Sequence, residues 1–301
     1  MEEIRVTLRP STQPSNEERA RLICSLHGLM RALHWLSVDV SVGAALGVLF
    51  FQNLTALGPD LAPLCVAAAA MSVYSADHLL DLRSAHPPLS TRRQFHLRMR
   101  WFLRLSLLFS LPVGFLLAFM LFSDALFTLG ICAAALVGVY LLTHRVLARR
   151  GLKELTGAIL YCGALLLPSL SDHEAMLSFH FWGAAGLYLA VAWLNLALFT
   201  LLDAPLDQAE AFPSLAQKIE PLRLHRQLRY AAGALSVLCC VVILILSHAE
   251  VDFPVLCGLA TLVWGHALLT IAAPTNQRQR RRQIADLLFW APGLGALIAW
   301  W

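Results

Sequence analysis

Two aspartate pairs in this chain have the same four-residue spacing. The first pair is Asp77 and Asp81, and the second is Asp203 and Asp207. On an α-helix this spacing places both carboxylates of a pair on one face, one turn apart. Each pair lies at the end of a strongly apolar segment, where unpaired negative charges are costly. A divalent metal ion that also holds a phosphate group is the simplest source of the missing positive charge.

Ligand chemistry indicates which metal would bind. Mg²⁺ prefers oxygen ligands, keeps several waters and takes its remaining ligands from substrate phosphates. We therefore predict Mg²⁺ as the cofactor and a diphosphate ester as the substrate, with all four aspartates as metal ligands and catalytic residues. The diphosphate also needs cations. The candidates are basic residues that follow apolar segments: Arg83, Arg145, Lys153, Arg223 and Arg226.

Two other polar residues lie deeper in the apolar segments. Asp39 is about two turns into the first segment, and Asn195 is about two turns before Asp203. Polar groups inside a membrane face a cavity or one another. Asp39 and Asn195 are therefore candidates either for substrate contact or for a buried structural hydrogen bond. Asp286 stands beside a cluster of arginines at the start of the last segment, so ion pairing and the helix dipole explain it without a role in the site.

The elements that position these residues are membrane helices. The 301-residue chain is 58% hydrophobic and 14% charged, with a mean hydropathy of +0.65, which is too apolar for a soluble domain of this length. Nine apolar segments are long enough to cross a bilayer: 32–51, 61–80, 102–121, 125–142, 154–171, 181–202, 228–247, 253–272 and 284–301. The sequence thus predicts an all-α polytopic membrane protein whose membrane domain covers residues 32–301.

The distribution of charge predicts the topology. All 23 Lys and Arg residues fall in the N-terminal segment and in or at the edge of alternate connections, whereas the other connections carry acidic residues and no Lys or Arg. Because basic residues are retained on the cytoplasmic side, we expect a protein of the cell (inner) membrane with its N-terminus in the cytoplasm and its C-terminus on the opposite side. Both aspartate pairs then lie at the cytoplasmic face. The two longest cytoplasmic connections, 82–101 and 203–227, would form a cap over them.

Local signals divide these connections and the N-terminal region. Pro205, Pro213 and Pro221 are expected to break the second connection into short stiff pieces, and Ser214 could begin a cap helix. Residues 1–31 are predicted to be a cytoplasmic tail followed by an amphipathic helix at the membrane interface, rather than a cleavable signal peptide.

Several other kinds of site are not indicated. The seven cysteines lack CxxC spacing, and the eleven histidines form neither an HxxxH pair nor an HExxH motif. A zinc site, a di-iron site and a disulfide framework are therefore not expected. The chain also has no P-loop, GxGxxG or GxSxG motif, and no nucleic-acid partner is expected.

The motifs resemble those of the UbiA superfamily of intramembrane prenyltransferases, which have nine transmembrane helices and aspartate-rich motifs on helices two and six. Residues 74–83 read YSADHLLDLR, and residues 203–216 read DAPLDQAEAFPSLA. YLLTHR, at residues 140–145, resembles the tyrosine and basic pair that follow helix four. The resemblance implies that the four aspartates bind Mg²⁺, that Arg145 and Lys153 hold the diphosphate, and that Tyr140 belongs to the substrate site.

Three positions depart from the family pattern. Val73 stands where the first motif commonly has Asn, and Ala211 where the second has a third Asp. His144 and Arg145 replace the usual Lys and Arg. These departures weaken the similarity to the quinone-pathway branch, whose acceptor is a hydroxybenzoate or naphthoate, but they leave the metal site in place.

The predicted function is Mg²⁺-dependent transfer of an isoprenoid group from a prenyl diphosphate to an aromatic or otherwise lipophilic acceptor, in a cavity open to the lipid bilayer. Tyr74, Tyr140 and Tyr161 are candidates to face the allylic cation. Two alternatives remain open. One is a membrane terpene cyclase that uses the same metal site without an acceptor, and the other is a non-catalytic protein that binds isoprenoid lipids or assists assembly.

Overall fold

The computed structural model describes residues 28–55, 57–58, 60–83, 90–171, 178–209, 214–272 and 278–301. Within these ranges the regular structure is helical and no strand occurs. A 3₁₀ helix, Leu167–Ser171, extends α7. In chain order the α-helices are α1 Gly28–Trp35, α2 Val38–Leu54, α3 Ala62–Arg83, α4 Thr91–Arg98, α5 Arg100–Leu121, α6 Asp124–Arg150, α7 Lys153–Leu166, α8 Phe179–Ala209, α9 Leu215–Lys218, α10 Pro221–His248, α11 Phe253–Ile271, α12 Arg278–Leu288 and α13 Ala291–Ala299.

Seven helices of the described residues are long and apolar enough to cross a membrane: α3, α5, α6, α7 with its 3₁₀ extension, α8, α10 and α11. They coincide with the second to eighth predicted segments. The bent pair of α1 and α2 raises the number to eight if it counts as one span. The chain is thus an all-helical, multi-pass membrane protein, as its composition predicts, but the number of nine spans is not confirmed.

The first and last predicted segments are each interrupted. α1 and α2 meet at an angle of 68°, and Ser37 between them has a left-handed φ of 58°. α12 ends at Leu288, and α13 begins with Pro292 in its first turn, where the missing N–H of proline costs no helical hydrogen bond. The two breaks lie side by side, because the Trp290 indole Nε1 donates to the Asp39 carbonyl at 2.9 Å.

Helix contacts close into a ring. α2 packs on α3, α3 on α5, α5 through a small contact on α6, α6 on α7, α7 on α8, α8 on α10, α10 on α11 and α11 on α13, which returns to α2. Glycine permits the last contacts, since a Cβ at Gly293 would fall on the Leu46 carbonyl oxygen and one at Gly258 on the backbone of α13. Small residues let membrane helices approach this closely.

An aromatic core fills the end of the ring away from the aspartate pairs. Phe51 near the end of α2 contacts Phe181 near the start of α8, with ring centres 5.8 Å apart. Tyr188, one to two turns further along α8, lies 5.4 Å from Phe51. All three side chains are fully buried. Apolar packing therefore holds one end of α2 and α8 and leaves their other ends to polar residues.

The expected break at Pro205 is absent. α8 continues through Pro205 to Ala209, so Asp203 and Asp207 lie on one continuous helix. Proline removes one backbone hydrogen bond, which membrane helices tolerate when neighbouring groups satisfy the freed carbonyl.

Short helices occupy both connections that follow the aspartate pairs. α4 lies in the first, and α9 in the second begins after its cap residue Ser214, as predicted. Pro221 begins α10, whereas Pro213 lies outside the described residues. The predicted interfacial helix lies outside them as well, except for the first residues of α1.

Candidate active site

Both aspartate pairs lie in the last turns of their helices, as the sequence predicts. α3 ends at Arg83, just after Asp81, and α8 ends at Ala209, just after Asp207. The four aspartates are half-buried. A carboxylate at the C-terminus of a helix meets the negative end of the helix dipole, so each pair needs nearby positive charge.

Two cations are shared by the pairs. Arg92 of α4 lies within electrostatic range of both pairs. Lys153, the first residue of α7, is within range of Asp77 in the first pair and Asp207 in the second. The same two basic side chains therefore influence carboxylates from two helices, which puts the two pairs around shared positive charge.

Arg282 of α12 makes a direct ion pair with this site. Its Nη1 donates to Oδ2 of Asp203, and its guanidinium carbon lies 4.5 Å from the centre of the Phe199 ring. A planar guanidinium can stack on a ring and donate to a carboxylate at the same time. Arg282 is therefore held beside the second aspartate pair by two contacts with α8.

His144 of α6 approaches the first pair. Its Nδ1 donates to the Leu141 carbonyl at 2.7 Å, and its Nε2 lies 4.0 Å from Oδ1 of Asp81. His144 is buried, whereas Arg145 beside it is exposed. The basic pair thus presents its histidine to the aspartates, and the departure from the family pattern at this position keeps a basic group there.

The position of Lys153 depends on a tight turn. Gly151 ends α6 with a left-handed φ of 76°, a conformation that glycine adopts without strain. α7 therefore begins with Lys153 directly after α6. The neighbouring Glu154 accepts a hydrogen bond from Thr200 Oγ1 at 2.9 Å, which ties α7 to α8 and keeps Lys153 near both aspartate helices.

The position of Arg92 depends on the docking of α4. Ser90 caps this helix by accepting a backbone N–H of its first turn. His96 Nε2 donates to the Trp35 carbonyl at 2.7 Å, and its ring stacks on His78 with centres 4.2 Å apart. Burial lowers the pKa of His96 to about 4, so the ring is neutral at pH 7. α4 is thus anchored to α1 and α3.

A second group of polar side chains, here called the inner cluster, consists of His34, Asp39 and Asp286. His34 Nδ1 lies 2.7 Å from Oδ2 of Asp39 and 3.5 Å from Oδ2 of Asp286. The three side chains are 10% exposed or less. Asn195 Nδ2 approaches Oδ1 of Asp286 at 3.4 Å. The two deeper candidates from the sequence, Asp39 and Asn195, are therefore part of one assembly.

The interpretation of Asp286 as a simple partner of the arginines is wrong. Its direct contacts are with His34 and Asn195, and Arg282 bonds to Asp203 instead while remaining within electrostatic range of Asp286. The four-residue spacing of Arg282 and Asp286 puts both side chains on one face of α12. The sequence could therefore have indicated that both side chains point to the interior of the protein. Sequence reasoning also missed Arg92 and His34.

Three tyrosines lie between the aspartate pairs and the inner cluster. The Tyr74 hydroxyl is within electrostatic range of Asp77 on one side and of Asp286 on the other, and also of Tyr140 and Tyr161. The structure thus brings together the three tyrosines that the sequence offered as candidates to face a cation.

The remaining basic candidates lie on the surface. Arg83 at the end of α3 is exposed, and so are Arg223 and Arg226 near the start of α10. By the predicted topology these three arginines lie on the same side of the membrane as Arg92, Lys153 and Arg282. Their predicted contact with a diphosphate is not tested by this arrangement.

Comparison with known proteins shows the fold. No protein-family model matches the sequence, and no curated protein matches it. A solved structure of a digeranylgeranylglyceryl phosphate synthase in membranes matches with a TM-score of 0.53 and 14% sequence identity, over 90% of this chain and 99% of that chain. The chain shares the fold of that synthase, which agrees with the resemblance of its motifs to the UbiA superfamily. At this identity the likeness concerns the fold alone.

The four aspartates at the ends of α3 and α8 suit a metal ion that takes only part of its ligands from the protein. Among the described residues, the inner cluster is the one group of three or more His, Cys or acidic side chains whose ligand atoms all lie within 4.8 Å of one another. The two aspartate pairs therefore do not close on a single ion by themselves. Carboxylates spread over two helices fit Mg²⁺ that keeps waters and is bridged by substrate phosphate.

Proposed function

We propose that this protein is a Mg²⁺-dependent intramembrane prenyltransferase, which moves an isoprenoid group from a prenyl diphosphate to a lipophilic acceptor. The supporting observation is that Arg92 and Lys153 each lie within electrostatic range of aspartates from both helices. Carboxylates and cations around one space match the two needs of a metal diphosphate, which are metal ligands and charge neutralisation of the phosphate oxygens. The UbiA fold, shared with a synthase of a geranylgeranylated lipid, agrees with this chemistry.

In this proposal each residue has a defined task. Asp77, Asp81, Asp203 and Asp207 would hold Mg²⁺, which, when bound, stabilises the charge of the departing diphosphate. Arg92 and Lys153 bind diphosphate oxygens, and Arg282 orients Asp203. His144 supplies positive charge beside Asp81 when it is protonated. These fixed charges act where negative charge develops as the bond to the prenyl carbon breaks.

The aromatic and helical surroundings protect the cation. Tyr74, Tyr140 and Tyr161 present aromatic rings, whose faces attract a positive charge. α4 and α9 cover the cytoplasmic end of the bundle and keep bulk water from the allylic cation. The acceptor attacks from the bilayer side of the cavity.

The proposal includes a topology of nine spans. The first span is the bent pair of α1 with α2, the last consists of the end of α12 followed by α13, and the termini lie on opposite sides of the cell membrane. The location of all 23 Lys and Arg residues in the N-terminal segment and in or beside alternate connections supports this arrangement. Both aspartate pairs then open toward the cytoplasm.

Diphosphate release by the purified protein in nanodiscs tests the function. Geranyl, farnesyl and geranylgeranyl diphosphate are supplied with and without Mg²⁺, together with a membrane lipid extract as a source of acceptors. We expect Mg²⁺-dependent release that is lost in Asp203→Ala and kept in Asp124→Ala, an exposed acid at the opposite end of α6. A well-folded wild type that releases no diphosphate with any donor would favour a non-catalytic isoprenoid-binding protein.

The convergence of three tyrosines also favours a second function, a membrane terpene cyclase. In that reaction the cation is held by aromatic rings and quenched without an acceptor. Mass spectrometry of the product separates the functions. A hydrocarbon or prenyl-derived alcohol formed in the absence of acceptor indicates the cyclase, whereas a prenylated acceptor indicates the transferase.

A further inference from the structure

We propose that His34 is a catalytic base, whose Nε2 takes the proton that the acceptor loses when it is prenylated, and that Asp39 and Asp286 are its positioning residues. This inference rests on the proposed prenyltransferase function and assigns the second half of its chemistry. It concerns a site, the inner cluster, that is separate from the aspartate pairs.

The hydrogen bonding of the imidazole fixes which nitrogen is available. Both carboxylates approach Nδ1 of His34, at 2.7 Å for Asp39 and 3.5 Å for Asp286. A neutral imidazole therefore carries its proton on Nδ1, because carboxylates accept hydrogen bonds. Within the described part of the chain no hydrogen bond is made to Nε2 of His34. Its lone pair is thus left for a proton from outside the cluster.

The cluster also stabilises the protonated form. A buried imidazolium needs compensating charge, and the two carboxylates supply it on the Nδ1 side. This is the arrangement in which a carboxylate holds the tautomer of a histidine base and stabilises the cation that forms. A second carboxylate strengthens the effect in a low-dielectric site.

Further contacts hold the carboxylates in place. Asp39 Oδ1 accepts the backbone N–H of Val40 at 3.0 Å, and the Asp39 carbonyl accepts the Trp290 indole. Asn195 Nδ2 approaches Asp286, while its Oδ1 is buried without a hydrogen-bond partner. An unpartnered buried amide oxygen beside the cluster costs about 1–3 kcal/mol and is an acceptor for a hydroxyl group that enters the site.

The position of the cluster suits an acceptor rather than the diphosphate. Tyr74 lies within electrostatic range of both Asp77 and Asp286, so a single side chain lies near both the aspartate pairs and the cluster. None of the described hydrogen bonds or ion pairs of His34, Asp39 and Asp286 involves a lysine or arginine. Arg282 lies within electrostatic range of Asp286 but is bonded to Asp203, so the two carboxylates around His34 disfavour an anionic acceptor. We assign to this site a neutral acceptor with a hydroxyl group.

The step balances as follows. The bond between the prenyl C1 and the diphosphate oxygen breaks, and diphosphate leaves with the electron pair. The acceptor oxygen forms its bond to C1, and its proton passes to Nε2 of His34. The resulting imidazolium is stabilised by Asp39 and Asp286 until the proton is returned to water. No oxidant, reductant or further reactant is required.

The experiment measures diphosphate release and prenylated product separately in nanodiscs. Geranylgeranyl diphosphate is the donor, and the acceptor probes are 4-hydroxybenzoate, its methyl ester and a membrane lipid extract. The first two carry the same phenol and differ by one negative charge. We expect product from the methyl ester or from neutral lipids, and at least tenfold less from the carboxylate.

Variants of the inner cluster distinguish the role proposed for His34 from the role proposed for the aspartate pairs. We expect His34→Ala to keep diphosphate release within about threefold, with the allylic cation then captured by water to give a prenyl alcohol and a proton. The yield of prenylated acceptor should fall about 10²-fold or more, as for loss of a general base, with partial rescue by added imidazole. Asp39→Asn and Asp286→Asn lower product about tenfold. His248→Ala, an exposed histidine at the end of α10, is the matched control and changes neither readout.

Three results would overturn the inference. The first is product formation by His34→Ala at the wild-type rate, with diphosphate release intact. The second is a ¹⁵N NMR spectrum of the wild type in which the neutral His34 carries its proton on Nε2, a measurement that needs no acceptor. The third is a divalent ion retained by Asp77→Ala/Asp203→Ala and lost in His34→Ala, which would make the cluster a metal site. Absence of diphosphate release in the wild type rejects the proposed function instead.

Discussion

The aspartate pairs and the inner cluster are both acidic, but their charge is balanced in different ways. The pairs depend on Arg92, Lys153 and Arg282, which come from α4, α7 and α12. The inner cluster depends on short contacts made by His34 and Asn195. Long basic side chains from separate helices can turn from carboxylates to a phosphate. An imidazole held by two carboxylates has one defined orientation.

The aspartate pairs and the inner cluster also differ in how deeply their side chains are buried. The four aspartates of the pairs are half-buried, whereas the side chains of the inner cluster are 10% exposed or less. Ions can enter the first region from water, and electrostatic interactions are stronger in the second because it is dry. The comparison indicates one region built to receive an ionic ligand and another preorganised before any ligand arrives.

The largest expected effect distinguishes the two regions directly. Asp203→Asn should lower diphosphate release on the order of 10³-fold, because it removes one of the proposed metal ligands and the partner of Arg282. Asp39→Asn should leave diphosphate release within threefold of wild type. Initial rates in nanodiscs check both. Equal losses in the two variants would show that the regions do not have separate tasks.

The contact between α13 and α2 can be changed without a substitution in the aspartate pairs or in the inner cluster. Gly293→Ala should destabilise the protein by about 1–3 kcal/mol, because the added Cβ overlaps the Leu46 carbonyl and pushes α13 from α2. Gly183→Ala is the matched control, since a Cβ there meets nothing within 4 Å. Thermal unfolding in detergent measures the difference. An unchanged midpoint for Gly293→Ala would contradict the close contact.

Removal of Arg282 tests the balance of charge at the mouth. Arg282→Met should raise the donor KM about 10-fold to 100-fold, because Asp203 loses its ion pair and the diphosphate loses a nearby cation. Arg280→Met, an exposed arginine on the same helix, should change the KM less than twofold. If both variants behave alike, Arg282 acts through the general charge of α12 rather than through Asp203.

The smallest expected effect concerns α4 and pH. Burial lowers the pKa of His96 from 6.5 to about 4, so the folded protein binds fewer protons than the unfolded chain between these values. The stabilisation is therefore complete above pH 6.5 and decreases as the pH falls, by about 1.4 kcal/mol at pH 5.5. Thermal midpoints measured from pH 7.5 to 5 should fall less steeply in His96→Gln. Parallel curves would disprove the link.

Several features followed from the sequence because they depend on neighbouring residues alone. An apolar stretch of sufficient length specifies a membrane helix, and seven of the predicted segments are helices of the expected kind. A spacing of four residues places Asp77 beside Asp81, and Asp203 beside Asp207, on any helix. Their convergence in one site was predicted from the even number of crossings between them and from their common chemistry.

Other features needed the tertiary structure. The sequence offered many basic residues on one side of the membrane, but only the docking of α4 and α12 selected Arg92 and Arg282 over exposed candidates such as Arg83. The inner cluster joins His34 and Asp39 to Asp286 across most of the chain. That contact exists because glycine contacts let α13 close against α2, and no local pattern specifies how two distant helices pack.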